Sequence, residues 1–304
     1  MTKKLILRLS NNLGNQMFMY ASAFALSKML NRELFIDNET AYSDKRNIHK
    51  FDLDKFNISA QKAPSNLMFL GSIGYIKRKS LKYLDKVKTK KNFYIEPRDI
   101  NKSTSFDKNI RNGNYNDPLF VEGHFETEKY FNMFSEDIKN EFKFKNLTYF
   151  ENNGFFNDIK STESVSICIR QNRFSERKRD ITPDDEKNST IFTEDQIKYI
   201  NKSIETIKSK INNPKFFLWS NDFKNLDSFF PKNNFTFVST NKIDNDLYLM
   251  SQSKHHIVIP SSFNWWGAWL GYSKKSLVIR PSHKHFSNFN LNNRDFWPDD
   301  WTIV

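Results

Sequence analysis

Apolar runs alternate with helical periods from the start of the chain. Leu5–Leu9 has the composition of a buried strand, and Asn15–Asn31 repeats apolar side chains along one helical stripe. Leu34–Ile36 follows as a second short apolar run. A strand, a helix and a second strand within so short a span form a βαβ unit, whose two strands run parallel. The sequence therefore predicts a parallel sheet near the N-terminus.

The second half of the chain shows the same alternation more regularly. Val165–Ile169 is predicted to be a strand, and Thr193–Gln196 has the pattern of a capping box that opens a long amphipathic helix. The polar stretch Phe174–Ser189 is predicted to be a mobile loop or an active-site flap. Further strands are expected at Phe216–Trp219, Phe235–Val238, His256–Ile259 and Leu277–Ile279, with helices near Leu226 and over Asp246–Ser253 and Phe263–Gly271.

The middle of the chain is less regular. Ile73–Val87 is a Lys-rich amphipathic stretch that predicts a helix, and Leu119–Val121 predicts a strand. We therefore expect an α/β protein with an elaborated N-terminal α/β domain over residues 1–150. Residues 151–304 should form a second domain with an open, doubly wound sheet.

Composition and charge narrow the function classes. The 304 residues carry a net charge of +12, but lysines are dispersed along the whole chain. General lysine usage therefore explains the charge best, and attraction to an anionic membrane surface comes second. With Cys168 as the single cysteine, neither an intrachain disulfide nor a cysteine-based metal site can form. The N-terminus has no signal-peptide pattern, so we expect a cytoplasmic protein, peripheral on the membrane at most.

Four segments fall where strands end and helices begin, which is where such sheets bind ligands. The first segment is Ser10–Gln16. Gly14 is able to adopt a positive φ there, and the backbone amides from Asn15 onwards are able to face a phosphate. The alternative is a helix cap at Asn12 or Asn15 without any ligand.

The next two segments follow apolar strands. Arg170 comes directly after Val165–Ile169, where a guanidinium suits bidentate phosphate binding; a plain surface charge is the alternative. Ser220 and Asp222 follow Phe216–Trp219. The Asp222 carboxylate is suited to a ribose or a nucleobase, but an N-cap of the next helix is equally compatible with the pattern.

The fourth segment carries the strongest signal. Ser261 and Ser262 place two hydroxyls at a predicted helix N-terminus, where the helix dipole and the free amides favour an anion. The alternative is a capping serine before a core helix. Three tryptophans follow within Phe263–Trp269, which is denser than capping alone requires.

These segments together resemble the bacterial α-1,2-fucosyltransferases of glycosyltransferase family 11. Leu13–Ala21 follows that family's Leu-Gly-Asn-Gln-Met-Phe-Gln-Tyr-Ala signature with one change, and Asp246–Ser251 with Ser261–Ala268 matches its late signature. Gly123–Phe131 and Pro298–Trp301 resemble two further family segments. The matches span nearly the whole chain in the expected order.

Two departures from the family pattern stand out. The family's two leading glycines are Asn11 and Asn12 here, and Asn tolerates a left-handed backbone. The family's His-x-Arg-Arg-Gly-Asp-Tyr motif is Cys168–Phe174 here, with only the first Arg kept as Arg170. Arg173 supplies a compensating charge, but a mechanism that uses the motif's Asp as the base fails in this chain.

The resemblance implies a GT-B-like fold, with two Rossmann-like domains and a donor cleft between them. It implies GDP-fucose as the donor, inversion at the anomeric carbon, no cofactor and no metal. The acceptor would be the 2-hydroxyl of a galactoside in a surface or lipid-linked glycan. Glu126, where the family has Gln, is a candidate base. The predicted donor-binding residues are Gly14, Asn15, Arg170, Ser220, Asp222, Asp246, Ser261, Ser262 and Phe263.

Three alternatives remain open. An enzyme of this fold with another nucleotide-sugar donor would fit the altered arginine motif. A basic nucleic-acid or polyanion binder would be supported by charge alone, since no recognition helix or stacking motif accompanies it. A catalytically inactive, lectin-like relative would fit the lost Asp. Two Asp-x-Asp pairs, Asp52–Asp54 and Asp244–Asp246, are too common by chance to indicate a metal site.

Overall fold

The structure, a computed structural model, describes residues 2–43, 49–97, 104–147, 151–152, 154–176, 178–286, 289 and 294–304. The chain divides into two compact units. Unit 1 comprises Met1–Lys145 and Asn293–Pro298, and unit 2 comprises Asn146–Asn292 and Asp299–Val304. The short segment Asn293–Pro298, which the sequence placed in the second domain, thus groups with the first unit.

Unit 1 is built on a parallel sheet of five strands in the order β3-β2-β1-β5-β4. The predicted βαβ start is confirmed, with the first helix joining β1 to β2. The strands are β1 (Lys3–Arg8), β2 (Arg32–Asp37), β3 (Gln61–Lys62), β4 (Lys91–Ile95) and β5 (Tyr115–Glu122), and the helices are α1 (Leu13–Met29), α2 (Gly71–Asp85) and α3 (Ser135–Glu141).

Helix α1 forms the centre of unit 1. Its side chains are buried on every side from Leu13 to Ser27, with Asn15 as the half-buried exception. A helix that is apolar all round must lie inside the fold rather than on its surface. Phe18 packs against Phe131 and Phe296, which holds the late segment Asn293–Pro298 in this unit.

Unit 2 contains a six-stranded parallel sheet in the order β11-β10-β9-β6-β7-β8. The chain runs outward from β6 in one direction, then returns beside β6 and runs outward in the other. This is the Rossmann order, and its topological switch point lies between β6 and β9. The strands are β6 (Glu163–Ile169), β7 (Pro214–Ser220), β8 (Phe235–Phe237), β9 (His255–Ile257), β10 (Val278–Arg280) and β11 (Thr302–Ile303).

The helices described in unit 2 are α4 (Gly154–Ser161), α5 (Pro183–Lys210), α6 (Ile243–Ser251) and α7 (Ser262–Gly271).

The prediction for the start of the long helix, α5, is wrong. Helix α5 begins ten residues before Thr193, with Thr182 and Asp185 forming the real capping box and Pro183 at its first position. Thr193 lies inside the helix and donates to the carbonyl of Ser189. The Thr193–Gln196 pattern therefore lies on an interior turn of α5. The stretch Phe174–Ser189, predicted to be a loop or a flap, is helical from Pro183 onwards.

None of the helices described is both long enough and apolar enough to cross a membrane.

The remaining helical segments are short. The predicted helix near Leu226 is a single 3₁₀ turn, Leu226–Ser228. Other 3₁₀ turns lie at Leu53–Lys55, Ser65–Leu67, Lys108–Arg111, Glu128–Tyr130 and Asn132–Phe134.

Close packing of α6 on α7 positions the start of α7. Gly267 faces Met250, and a Cβ atom at Gly267 would lie 2.4 Å from Met250 Sδ and 2.8 Å from its Cγ. Met250 is fully buried, so its side chain has no open space to move into.

On strand β9, His256 contacts Ser166 Oγ through Nδ1 at 2.7 Å, and burial lowers the pKa of His256 to about 3. His256 is therefore a neutral core residue at ordinary pH.

Replacing Gly267 by Ala should lower the free energy of unfolding by about 1–3 kcal/mol, because the added methyl group overpacks the α6–α7 contact. Urea unfolding followed by tryptophan fluorescence measures this change. Gly154→Ala is the matched control, since its Cβ would meet nothing within 4 Å. Equal stability of the two variants would contradict the proposed tight contact.

Candidate functional site

The backbone of Arg170 is held by a buried glutamine. Its N–H donates to Gln196 Oε1 at 2.9 Å, and its carbonyl accepts from Gln196 Nε2 at 2.9 Å. This reciprocal pair fixes the chain where it leaves β6. The Arg170 guanidinium forms an ion pair with Glu176 and remains one-quarter exposed. The sequence analysis named Gln196 only as part of a capping box, and its contact with Arg170 was not predicted. Glu176 was not singled out, because it belongs to no recognisable motif.

The loop after β6 is joined to the loop after β7. The N–H of Gln171 donates to Asn221 Oδ1 at 2.8 Å, and Asn221 Nδ2 donates back to the Gln171 carbonyl at 3.0 Å. Asn221 Nδ2 also donates to Glu176 Oε2 at 3.1 Å. The Arg170–Glu176 ion pair and the Asn221 amide therefore form one polar cluster at the carboxyl ends of β6 and β7.

Asp222 and Ser220 complete this cluster. Asp222 Oδ1 accepts the N–H of Lys224 at 2.9 Å, and Ser220 Oγ donates to the Asp222 carbonyl. Asn172, whose φ is 55°, donates to Asp222 Oδ2 at 3.3 Å. The predicted N-cap role of Asp222 is wrong, because the N-cap residue of the following 3₁₀ turn is Asn225. Asp222 instead holds its own turn through the N–H of Lys224. A ligand role for Asp222 stays a prediction.

Arg173 links the same loop to the segment before α7. Its Nη1 donates to the carbonyl of Pro260 at 2.9 Å, and its guanidinium lies 4.9 Å from the centre of the Phe192 ring. The altered arginine motif therefore reaches the chain that leads into Ser261. As a result, the segments that follow β6, β7 and β9 meet at one edge of the sheet.

The start of α7 has the features of an anion site. Ser261 occupies the N-cap position with an extended backbone, but its side chain makes no capping hydrogen bond. The preceding turn is fixed instead by the fully buried Asn264, whose Oδ1 accepts the N–H of Ile259 at 2.7 Å. Ser262 and Phe263 begin the helix and are half-buried. The dipole of α7 favours negative charge at this end.

The tryptophans after Ser262 belong to the core. Trp265 and Trp266 are fully buried, and Trp265 stacks on Trp269 with a centroid separation of 6.0 Å. Trp301 packs against Trp265 at 5.6 Å. The dense tryptophan pattern therefore supports the helix that presents Ser261 and Ser262 and does not itself form a binding surface.

Asp246 lies in the first turn of α6. Thr240 donates to its Oδ1 at 2.9 Å, and burial raises the pKa of Asp246 despite that hydrogen bond. Asp244 precedes it on the same turn. Among the described parts of the chain, no group of three or more His, Cys, Asp or Glu residues is arranged to hold a metal ion.

In unit 1, the turn between β1 and α1 has its positive φ at Asn11 rather than at Gly14. The φ of Asn11 is 62°, as expected for Asn in place of a glycine, and Gly14 lies within the first turn of α1. Gln16 fixes the turn by donating to the carbonyls of Asn11 at 2.8 Å and Lys50 at 2.7 Å. Asn12 is the N-cap residue, but its side chain makes no capping bond.

Glu126 lies directly beside this turn. Asn15 Nδ2 donates to Glu126 Oε1 at 2.9 Å, and Asn11 Nδ2 lies 3.1 Å from His124 Nε2. Two predicted residues, Asn15 and Glu126, are thus brought together across more than 100 positions of sequence. Both the carboxylate and the imidazole project from the segment that follows β5.

A second carboxylate, which the sequence did not indicate, holds that segment. Glu96 Oε2 accepts the N–H groups of His124 at 2.7 Å and Phe125 at 2.9 Å. Phe125 has a φ of 53°, so these two bonds stabilise a strained backbone next to Glu126. Burial raises the pKa of Glu96, while the two N–H groups oppose that shift. Glu96 ends an ordinary strand sequence, so only the fold reveals its contact.

Two glycosyltransferases are similar to this chain over nearly its whole length. The chain is 29% identical to an α-1,2-colitosyltransferase from Escherichia coli, over 98% of each chain. It is 25% identical to the O-antigen biosynthesis glycosyltransferase WbnK from Escherichia coli, over 93% of this chain and 95% of that one.

Solved structures show the same fold at lower identity. The α-1,6-fucosyltransferase NodZ from Bradyrhizobium, soaked with GDP-fucose, superposes with a TM-score of 0.51 at 14% identity, over 88% of this chain and 92% of that one. Together with the two parallel sheets, this likeness confirms the α/β, GT-B-like fold class. The sequence profile of glycosyl transferase family 11 matches residues 2–304, and the chain therefore belongs to that family.

Proposed function

We propose that this protein transfers L-fucose from GDP-fucose to the 2-hydroxyl of a galactoside, with inversion and without a metal ion. Its membership of family 11 and its glycosyltransferase relatives already make it a glycosyltransferase that uses a nucleotide-sugar donor. The observation that carries the proposal is the meeting of the Arg170 loop, the Asn221 loop and the start of α7 at the switch point.

The leaving diphosphate needs stabilisation as negative charge develops on it. We assign this role to the Arg170 guanidinium and to the hydroxyls of Ser261 and Ser262 at the start of α7. Arg170 is one-quarter exposed, which leaves its guanidinium accessible to a ligand. A diphosphate that takes the place of Glu176 would keep the guanidinium paired with a negative charge. The predicted donor contacts of Gly14 and Asn15, at the start of α1, stay a prediction.

The nucleoside is assigned to the neighbouring polar groups. Ser220 and Asp222 lie one loop away from Arg170, where a carboxylate is suited to a ribose hydroxyl or to guanine N–H groups. Asp246 and Phe263, at the starts of α6 and α7, are assigned to the same donor site. The Asp246 carboxylate already accepts one hydrogen bond, from Thr240.

Changes in the arginine motif fit this assignment. The motif's first residue is Cys168, and burial raises the pKa of its thiol to about 12, so it carries no charge at this edge. The motif's Asp position is Arg173, which contacts Pro260 instead. Glu176 supplies the carboxylate that pairs with Arg170. The cluster thus keeps a paired arginine although the motif's own acid is absent.

We assign the role of general base to Glu126. A base must be held in position near the acceptor hydroxyl, and Asn15 Nδ2 donates a hydrogen bond to the Glu126 carboxylate. Through Asn15, Glu126 also contacts the start of the first family signature, Leu13–Ala21. This places the candidate base next to the most recognisable segment of unit 1.

A second donor is favoured by one specific relative. The Escherichia coli protein that is 29% identical to this chain is named for colitose, which is fucose without its 3-hydroxyl. The altered arginine motif is compatible with a change of sugar. We therefore propose a colitose nucleotide as the alternative donor, with the same fold and the same diphosphate site.

The acceptor we propose is a galactoside within a surface or lipid-linked glycan. The support comes from WbnK, whose name places it in O-antigen biosynthesis. A cytoplasmic protein in peripheral contact with the membrane would meet such an acceptor. Nucleic acid is not among the proposed partners.

The first test concerns the nucleotide. GDP should raise the melting temperature by several degrees, and by more than UDP, CDP or dTDP at the same concentration, because binding to the native state stabilises it. Differential scanning fluorimetry measures the four shifts. A clear preference for one of the other three nucleotides would contradict GDP-fucose and GDP-colitose as donors.

Steady-state kinetics with GDP-fucose and GDP-colitose then separates the two sugars. A site that hydrogen-bonds the 3-hydroxyl should reject colitose strongly, by about 10⁴ in kcat/KM, because its polar groups would be left unpaired. A site shaped for colitose should disfavour fucose by only about 10². The proposed fucose specificity requires the first result.

The second test concerns Arg170. Arg170→Ala should lower kcat by about 10²–10³, because the charge that develops on the diphosphate loses its main partner. Glu176→Gln is the matched control, since it removes the ion pair and keeps the guanidinium. Near-normal turnover of Arg170→Ala, or an equal loss in both variants, would contradict the phosphate role. Thermal unfolding of each variant checks that the fold is intact.

The third test concerns Glu126. Glu126→Gln keeps an acceptor for Asn15 Nδ2 but removes the base, so kcat should fall about 10²–10⁴ with little change in the KM for the donor. The acidic limb of the kcat–pH profile should disappear in the same variant. Glu128→Gln, a neighbouring loss of one negative charge, should keep the wild-type profile. An unchanged kcat in Glu126→Gln would exclude this residue as the base.

A further inference from the structure

Helix α2 is oriented opposite to an ordinary surface helix, with charged side chains toward unit 1 and most of its apolar side chains toward solvent. Three of its charged side chains, Arg78, Lys82 and Asp85, face unit 1. Arg78 Nε donates to Glu122 Oε1 at 2.7 Å, and Lys82 Nζ donates to Glu122 Oε2 at 2.5 Å. Asp85 is buried and accepts the N–H groups of Asn92 and Phe93, both at 2.7 Å. These polar contacts, together with Leu81, which packs against the core cluster of unit 1, anchor this helix.

The helix also approaches the preceding chain closely. A Cβ atom at Gly74 would lie 2.3 Å from the backbone of Phe69, so only glycine allows this approach. Phe69 is itself buried against Phe93 and Phe120. The helix is thus held in one orientation, and the direction of its outer face is fixed by the fold.

That outer face is apolar and exposed. Ile73 is 83% exposed and Tyr83 is 72% exposed, although both belong to side-chain types that are normally buried. The outer face consists of Ile73, Ile76, Tyr83 and Leu84, and Val87 extends it past the end of the helix. Helical spacing places these side chains on one side of α2, opposite the residues that contact Glu122.

Basic residues surround this apolar face. Residues 71–91 contain eight Lys or Arg residues and one acidic residue, the buried Asp85. Lys77 and Lys79 flank the outer face on its two sides, and Lys86 and Lys90 follow the helix; all four are exposed. An amphipathic helix with an apolar face bordered by lysines is the arrangement that binds in the plane of an anionic membrane surface.

We propose that the outer face of α2, with the lysines that flank it, docks on an anionic phospholipid surface. Ile73, Ile76, Tyr83 and Leu84 enter the boundary between headgroups and acyl chains, while the lysines contact lipid phosphates. A second copy of this chain fits the face less well, since a two-fold contact would bring two sets of lysines together. This docking is independent of which sugar the protein transfers.

Co-sedimentation with lipid vesicles tests the proposal. The full-length protein should bind vesicles that contain phosphatidylglycerol and phosphatidylcholine, and bind vesicles of phosphatidylcholine alone much more weakly. Binding should weaken as salt rises, because the lysine contribution is screened. The variant Ile73→Ser/Ile76→Ser/Tyr83→Ser should lower the partition coefficient by more than about tenfold, since the apolar side chains drive insertion.

The controls separate this face from general surface properties. Ile95→Ser/Met133→Ser removes two exposed apolar side chains of unit 1 that lie off α2, and should leave binding unchanged. Lys77→Gln/Lys79→Gln should weaken binding more than Lys108→Gln/Lys143→Gln, which changes the net charge equally. Because all these side chains are exposed, thermal unfolding should be near wild type.

Three results would overturn the proposal. One is the absence of binding to phosphatidylglycerol vesicles. A second is equal binding by the wild type and the α2 triple variant. The third is a dimer in vesicle-free solution that the triple variant abolishes, measured by sedimentation velocity, since the face would then be an interface between copies.

Discussion

The position of β6 between β7 and β9 is the constraint on which the candidate donor site depends. The parallel register sets Ile169 opposite Ser220 and Ile167 opposite Ile257, so the chain leaves all three strands at one edge. Gln171 then reaches Asn221, and Arg173 reaches Pro260. A shift of this register would separate Arg170 from the start of α7 without altering any motif. Backbone pairing along the strands, far more than contacts among the site residues, therefore determines which side chains meet.

In unit 1 as well, strand register determines which polar side chains meet. There β1 pairs with β5, with Leu7 opposite Val121, so the turns that follow the two strands lie side by side. Asn11 and Asn15 meet His124 and Glu126 for this reason, and Glu96 fixes the backbone of the second turn. Each unit thus carries a cluster of polar side chains at the carboxyl edge of its parallel sheet. Fixed amides and paired charges at such an edge are suited to a ligand rich in phosphate and hydroxyl groups.

Helix α2 follows a different principle. Elsewhere apolar stripes face the core, as on α5, where Ile200, Ile204 and Ile207 pack onto the sheet of unit 2. On α2 the buried Glu122 selects the basic side instead, because a buried carboxylate must be paired. Most of the apolar residues of α2 are left outside as a consequence. The pairing of Glu122, the buried Asp85 and the close approach at Gly74 together fix the orientation of the helix.

The sequence by itself determined the strand–helix alternation, the family and the positions of most elements, because these depend on local periodicity and on contiguous motifs. It correctly predicted that Asn11 tolerates a left-handed backbone, which is a property of the residue type. It placed the start of α5 wrongly, since two capping patterns existed and only packing selects one. The partners Gln196, Glu176 and Glu96, and the outward apolar face of α2, were decided by tertiary structure alone. They depend on strand register and on buried charges, which bring together residues that are distant in sequence and therefore leave no local pattern.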